Sequence, residues 1–127
     1  MTHVILVVED NERNLKLVRD VLEYAGYDVR AARTAEDGIS LAHDEPPDLV
    51  LMDLQLPGMD GMEALRRLRE SPRTVDVPVV AVTAFAMKQD RERVLGAGFD
   101  GYLEKPISVR DLPGQVHGFI AREGVAE

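Results

Sequence analysis

Residues 48–83 read DLVLMDLQLPGMDGMEALRRLRESPRTVDVPVVAVT, and they hold one complete unit of the fold. Asp48 to Asp53 is an apolar run of strand length without polar alternation, as in a strand covered on both faces. Pro57-Gly58 is turn chemistry. Gly61 to Glu70 places Met62, Leu65 and Leu68 at helical steps. Pro78 to Thr83 is another apolar run. A helix between two such strands predicts a βαβ unit in a parallel sheet.

Read outward, the alternation recurs five times. His3 to Val8 is an apolar, β-branched run. Asn11 caps a helical pattern of Leu15, Val18, Leu22 and Ala25, which Gly26 ends. Tyr27 to Ala32 is a short strand. Thr34 and Asp37 resemble a capping box, and Ala35 to His43 is helical up to Pro46-Pro47. Beyond the central unit, Ala86 to Ala97 is helical and stops at Gly98. Asp100 to Glu104 is the last strand. Asp111 caps the last helix with Pro113 in its first turn, since a start at Ser108 would put the proline too deep. The expected domain covers residues 1–122, with 123–127 as a frayed tail.

The chain has 127 residues and a formal net charge of −8. That length suits one domain with a sizeable core. The absence of cysteine excludes disulfides, thiolate metal sites and a Cys nucleophile. No apolar run reaches the ~18 residues needed to span a bilayer, and the start lacks the basic region of a secretory signal. A cytoplasmic protein is expected. The acidic balance argues against direct nucleic-acid binding.

Ligands of open parallel sheets bind beyond the carboxyl ends of the strands. The first strand ends in Glu9-Asp10, the third in Asp53, the fourth in Thr83-Ala84 and the last in Glu104-Lys105-Pro106. Three acids, a hydroxyl and an ammonium therefore meet at one rim. Close carboxylates raise one another's pKa unless a cation neutralises them, and oxygen-only ligands suit Mg²⁺. Lys105 is a point charge suited to a phosphate oxygen. A carboxylate beside Mg²⁺, a hydroxyl and a lysine can act as a nucleophile toward phosphorus, giving an acyl phosphate. Mg²⁺, Lys105, and Thr83 with nearby backbone N–H groups could each neutralise one phosphoryl oxygen.

Val7 to Asn11 (VVEDN), Leu51 to Gly61 (LMDLQLPGMDG), Val79 to Ala84 (VVAVTA) and Lys105 to Ser108 (KPIS) match one family in order and spacing. Over essentially its whole length the chain resembles the receiver domain of bacterial two-component response regulators. Its strings look most like stand-alone regulators of the DivK type and receivers of hybrid histidine kinases. The resemblance implies a flavodoxin-like (βα)5 three-layer α/β sandwich with a parallel five-stranded sheet of order 2-1-3-4-5. It implies that Asp53 takes a phosphoryl group from a phosphohistidine on a sensor histidine kinase or histidine phosphotransfer protein. Glu9, Asp10, Asp53 and the backbone carbonyl of Gln55 would bind Mg²⁺. Thr83 and Lys105 would grip the phosphoryl group, and the Lys105–Pro106 bond would be cis. Tyr102 matches the switch aromatic that turns inward when Thr83 moves. Gln55 and Phe85 occupy positions that tune loss of the phosphate, and a bulky Phe85 would shield it.

The resulting expectation is a phosphoacceptor module, monomeric or weakly dimeric, with no direct nucleic-acid or membrane partner. A downstream protein would bind the face of the fourth helix, fifth strand and fifth helix. The start at Met1 favours a whole protein over a receiver excised from a hybrid kinase or longer regulator. A Mg²⁺-dependent aspartyl phosphatase is the enzymatic alternative. Such enzymes want a second acid two residues past the nucleophile, where Gln55 stands. A nucleotide binder would want a glycine-rich loop where Glu9-Asp10-Asn11-Glu12 stands. His3, His43 and His117 match no ligand spacing. The Arg66-Arg67-Arg69 cluster reads as a solvated helix face.

Overall fold

The computed structural model of the protein describes residues 2–56, 58–84 and 87–125, with side chains through residue 121. Strands β1 (Val4–Val8), β2 (Asp28–Ala32), β3 (Leu49–Asp53), β4 (Val79–Thr83) and β5 (Gly101–Glu104) alternate with five helices. These are α1 (Glu12–Tyr24), α2 (Ala35–Asp44), α3 (Gly61–Glu70), α4 (Lys88–Gly96) and α5 (Leu112–Val125). The sheet is parallel throughout, in the order β2-β1-β3-β4-β5. The strand order and layering are those expected from the sequence.

The period of two along each strand explains the layers. Ile5, Val7, Leu49, Leu51, Val80 and Val82 face one side, where they pack against Leu15, Val18 and Leu22 of α1 and Leu112 and Val116 of α5. Leu6, Val8, Val50, Met52, Val79 and Ala81 face the other, against Ala35, Ala42, Ala64, Leu65, Leu68 and Val94 of α2, α3 and α4. Every residue of β3 and β4 is buried. That is why the first four residues of each are apolar; the last, Asp53 and Thr83, are polar although equally buried.

The helix starts follow their capping residues. Asn11 Oδ1 accepts the Asn14 N–H at 3.0 Å, and Thr34 Oγ1 accepts the Asp37 N–H at 3.1 Å. Asp111 stands just before α5 and accepts the Gln115 N–H on its carbonyl, with Pro113 in the first turn as expected. Ser108 contributes as well, since its Oγ accepts the Asp111 N–H at 3.2 Å. The backbone of α5 continues to Val125, past the expected domain boundary at residue 122, and residues 126 and 127 lie outside the described residues.

Some boundaries differ from expectation. Tyr27 belongs to the end of α1 rather than to β2. Its N–H donates to Leu22 O while the Gly26 N–H donates to Glu23 O, with Gly26 at φ +100°. That double closure is a Schellman motif, and it needs the left-handed conformation that glycine supplies. His3 precedes β1, Asp48 precedes β3, Pro78 precedes β4 and Asp100 precedes β5. Asp48 has a joining role instead, because its carboxylate accepts the Val4 N–H at 2.7 Å. The fourth helix is shorter than the expected 86–97. It runs Lys88–Gly96, with Met87 at an N-cap position that offers no side-chain bond, and Ala86 lies outside the described residues. Val94 is its one buried residue.

The arginine cluster of α3 is not a free basic face. Arg66 pairs with Glu63 and Glu70, and Arg67 with Glu63. Arg69 binds Val75 O at 3.2 Å, Val77 O at 2.6 Å and Asp100 Oδ2 at 2.8 Å, which ties the end of α3 to the strands that come after it.

Candidate functional site

The carboxyl ends of β1, β3, β4 and β5 bring the expected side chains to one rim. Parallel registry does this: Val8 pairs with Met52, Asp53 with Val82, and Thr83 with Glu104. Asp53, the last residue of β3, is 2% exposed, and Thr83, the last of β4, is 2% exposed. Glu9 is buried just past β1, with Asp10 beside it and partly open to solvent. Ligand oxygens of Glu9, Asp10 and Asp53 all lie within 4.8 Å of one another.

Both oxygens of Asp53 are held. Lys105 Nζ donates to Oδ2 at 2.8 Å, and the Gln55 N–H donates to Oδ1 at 2.8 Å. Lys105 also lies 3.6 Å from Glu9 Oε1, and Glu9 Oε2 accepts the Asn11 N–H at 3.1 Å. The Lys105–Pro106 peptide bond is cis. Burial raises the pKa of Glu9, and the hydrogen-bonded, charged Asp53 carboxylate adds to the rise against the opposing pull of the Asn11 N–H and Lys105. Burial works to lower Lys105, but the bonds and charges of Asp53 and Glu9 outweigh it, so its pKa is raised. The ammonium is therefore firmly charged and shared between two acids.

The donor set fits a hard divalent cation. It is all oxygen, clustered and net acidic, and one of its acids is held above its ordinary pKa partly by its acidic neighbour. Beside Asp53 and Lys105 opens a cavity of about 350 Å³ whose far wall is apolar, formed by Leu17, Val18, Ile107 and Leu112. A carboxylate placed this way, with an ammonium at hand, can receive an electrophilic phosphorus.

Tyr102 lies on β5, half-buried against the α3 and α4 side, with the Arg91 guanidinium 5.8 Å from its ring centroid. That stacking was not foreseen in the sequence, because it depends on how α4 docks. Two further contacts were not foreseen either, one of them made by the side chain of Gln55, whose position was expected to tune loss of the phosphate. The Gln55 side chain reaches the residue just past β4, where its amide oxygen accepts the Ala84 N–H at 3.2 Å. Arg33, just past β2, donates to the Asp10 carbonyl at 3.1 Å and lies 3.4 Å from Glu12 Oε1. Its place directly after the second strand was the available signal, since the ends of the other four strands supply the rest of the rim. Phe85, expected to shield the site, lies outside the described residues.

Residues 5–117 match the model of the response regulator receiver domain. The chain is 46% identical over 109 residues to the polar-differentiation response regulator DivK of Brucella ovis, covering 86% of this chain and 89% of that relative. The DivK of Brucella anthropi is 45% identical over the same shares. Among solved structures, a CheY-like receiver domain protein of Methanospirillum hungatei aligns over 100% of both chains with a TM-score of 0.88 and 30% identity. The receiver domain of a Pseudomonas aeruginosa sensor histidine kinase, solved with a magnesium ion coordinated in its active-site cleft, aligns with a TM-score of 0.86 and 34% identity. That alignment covers 95% of this chain and 99% of the other.

Proposed function

Because the chain belongs to the response regulator receiver family, the phosphoacceptor modules of two-component signalling, we propose that Asp53 is its phosphorylated residue and that Glu9, Asp10, Thr83 and Lys105 complete the site. The observation that carries this reading is the buried Asp53 carboxylate, held by Lys105 on one oxygen and facing two further acids. An Asp53 oxygen attacks the phosphorus of a phosphohistidine. The new O–P bond forms as the N–P bond breaks, and the imidazole nitrogen leaves with the bonding pair. Lys105 then transfers its hydrogen bond from the carboxylate to a phosphoryl oxygen, and the Thr83 hydroxyl serves another.

Glu9, Asp10, Asp53 and the Gln55 carbonyl would hold Mg²⁺. When bound, it neutralises charge on the carboxylates and the incoming group. Tyr102 serves as the switch, turning inward as Thr83 moves toward the phosphoryl group. A sensor histidine kinase or phosphotransfer protein is the donor. A downstream protein reads the surface of α4, β5 and α5, and both encounters take place in the cytoplasm. The chain works as a monomer or weak dimer. It assists its own phosphorylation and slow dephosphorylation and turns over no other substrate. The phosphatase alternative loses further ground at Gln55, whose side chain carries no acid and is occupied with Ala84.

The test is intact mass after incubation with acetyl phosphate, with and without Mg²⁺, on the wild type and Asp53→Asn. One added phosphate is expected only with Mg²⁺ and only with Asp53 present. An adduct on Asp53→Asn would overturn the assignment of that residue. Steady phosphate release with no adduct would favour the phosphatase.

A further inference from the structure

Gln55 links the two strand ends that flank the nucleophile. Its backbone N–H holds Asp53 Oδ1 on the β3 side, while its side-chain oxygen holds the Ala84 N–H on the β4 side. The neighbouring backbone groups are bound by main chain: Val82 O takes the Leu54 N–H and Thr83 O takes the Lys105 N–H. Ala84 is different, because the partner of its N–H is a side chain that can rotate away. Ala84 lines the same cavity as Asp53 and Lys105, which is the space a phosphoryl group on Asp53 would enter. Ala84 itself adds only a methyl group there.

We propose that the Gln55 amide is a placeholder for a phosphoryl oxygen: it occupies the Ala84 N–H in the resting protein and must leave for that oxygen to bind. The proposal rests on the reading of Asp53 as phosphoacceptor. The exchange runs in the productive direction. An amide oxygen is a neutral acceptor, whereas a phosphoryl oxygen is charged and makes the stronger bond to the same N–H. The first bond must still break, so Gln55 opposes phosphorylation while keeping the strand ends in the right geometry beforehand. Both backbone contributions of Gln55 survive replacement of its side chain, which separates the placeholder from the rest of the site.

Beryllofluoride in excess Mg²⁺ is the probe, since it occupies the phosphoryl position without turnover. It is titrated into the wild type, Gln55→Met and Gln55→Glu, each ¹⁵N-labelled. Methionine keeps the length and removes the acceptor. Before any beryllofluoride is added, the Ala84 amide proton of Gln55→Met is expected to shift upfield and to exchange with solvent about three- to tenfold faster, as for loss of one exposed hydrogen bond. Beryllofluoride should then bind Gln55→Met about three- to tenfold more tightly than wild type, and Gln55→Glu more weakly. Equal or weaker binding by Gln55→Met, with the wild type binding normally, would overturn the placeholder alone. No binding by any of the three would overturn the phosphoacceptor reading and the proposal with it.

Discussion

Lys105→Met removes the ammonium of the rim and keeps a stem of similar length. It leaves Asp53, 2% exposed, and Glu9, 6% exposed, without the cation that sits 2.8 and 3.6 Å from them. Stripping one partner from a fully buried pair costs about 3–5 kcal/mol. The Lys105 side chain retains 22% of its exposure. Water therefore screens part of the interaction, and about 2–3 kcal/mol is expected in metal-free buffer. Glu9 limits the loss by taking up a proton more readily than an ordinary carboxyl, so the deficit should shrink at acid pH. Mg²⁺ acts on the same charges. At a hundred times its dissociation constant a ligand stabilises the folded chain by about 2.7 kcal/mol. The variant should bind it more tightly than wild type, because no ammonium competes for the carboxylates. Urea unfolding of both proteins, in EDTA and in saturating Mg²⁺, should show the deficit in EDTA and less than about half of it with Mg²⁺. A deficit of equal size in the two buffers would refute the reasoning, because it would trace the loss to packing rather than to uncompensated charge.

Glu9 also sets a pH dependence. Its pKa is raised above the ordinary 4.5, so between those two values the folded chain binds more protons than the unfolded one. Stability of the metal-free protein should therefore fall as pH rises from about 4.5, and Glu9→Gln should flatten that slope in melting curves taken in EDTA. Gly101→Ala would drive a methyl group against the edge of the Phe119 ring, with Cζ only 2.8 Å from the new carbon. A loss of about 1–3 kcal/mol in urea unfolding is expected, and Phe119→Leu should recover part of it. Arg91→Gln should cost no more than about 1 kcal/mol, as for an exposed cation–π contact. It should nonetheless move the ring-carbon NMR signals of Tyr102, and unchanged signals would show that the stacking does not hold the ring.

How much of the molecule was legible in advance depends on where the constraint lies. The buried strands β3 and β4 must be apolar along their length, so Leu49–Met52 and Val79–Val82 announce themselves, and Asp53 and Thr83 stand out at their ends. Asn11 and Thr34 act through bonds to residues three positions away, which spacing alone reveals. Contacts that join elements distant in sequence were not legible. Arg69 looks like its neighbours Arg66 and Arg67, yet it alone reaches Asp100, because only the packed fold brings the corner before β5 beneath α3. The Gln55 amide and the Arg91 guanidinium depend likewise on loop and helix placement. Tyr27 departs from expectation for a different reason. An aromatic next to a short run containing Val29 suits a strand, but the Gly26 closure captures it for the preceding helix.

The sparse burial of α4 has a thermodynamic consequence. One buried side chain and no side-chain cap at its start leave it with the weakest hold on the sheet of any helix from α1 to α4. Elements with few buried contacts open locally at far less free energy than the whole domain, so the amides of α4 should exchange with deuterium well ahead of those of α1 or α3. A difference of about 1.4 kcal/mol changes a two-state population tenfold. An element held this weakly is therefore repopulated by any perturbation of hydrogen-bond size that contacts it differently in its two states, while the rest of the sandwich stays as it is.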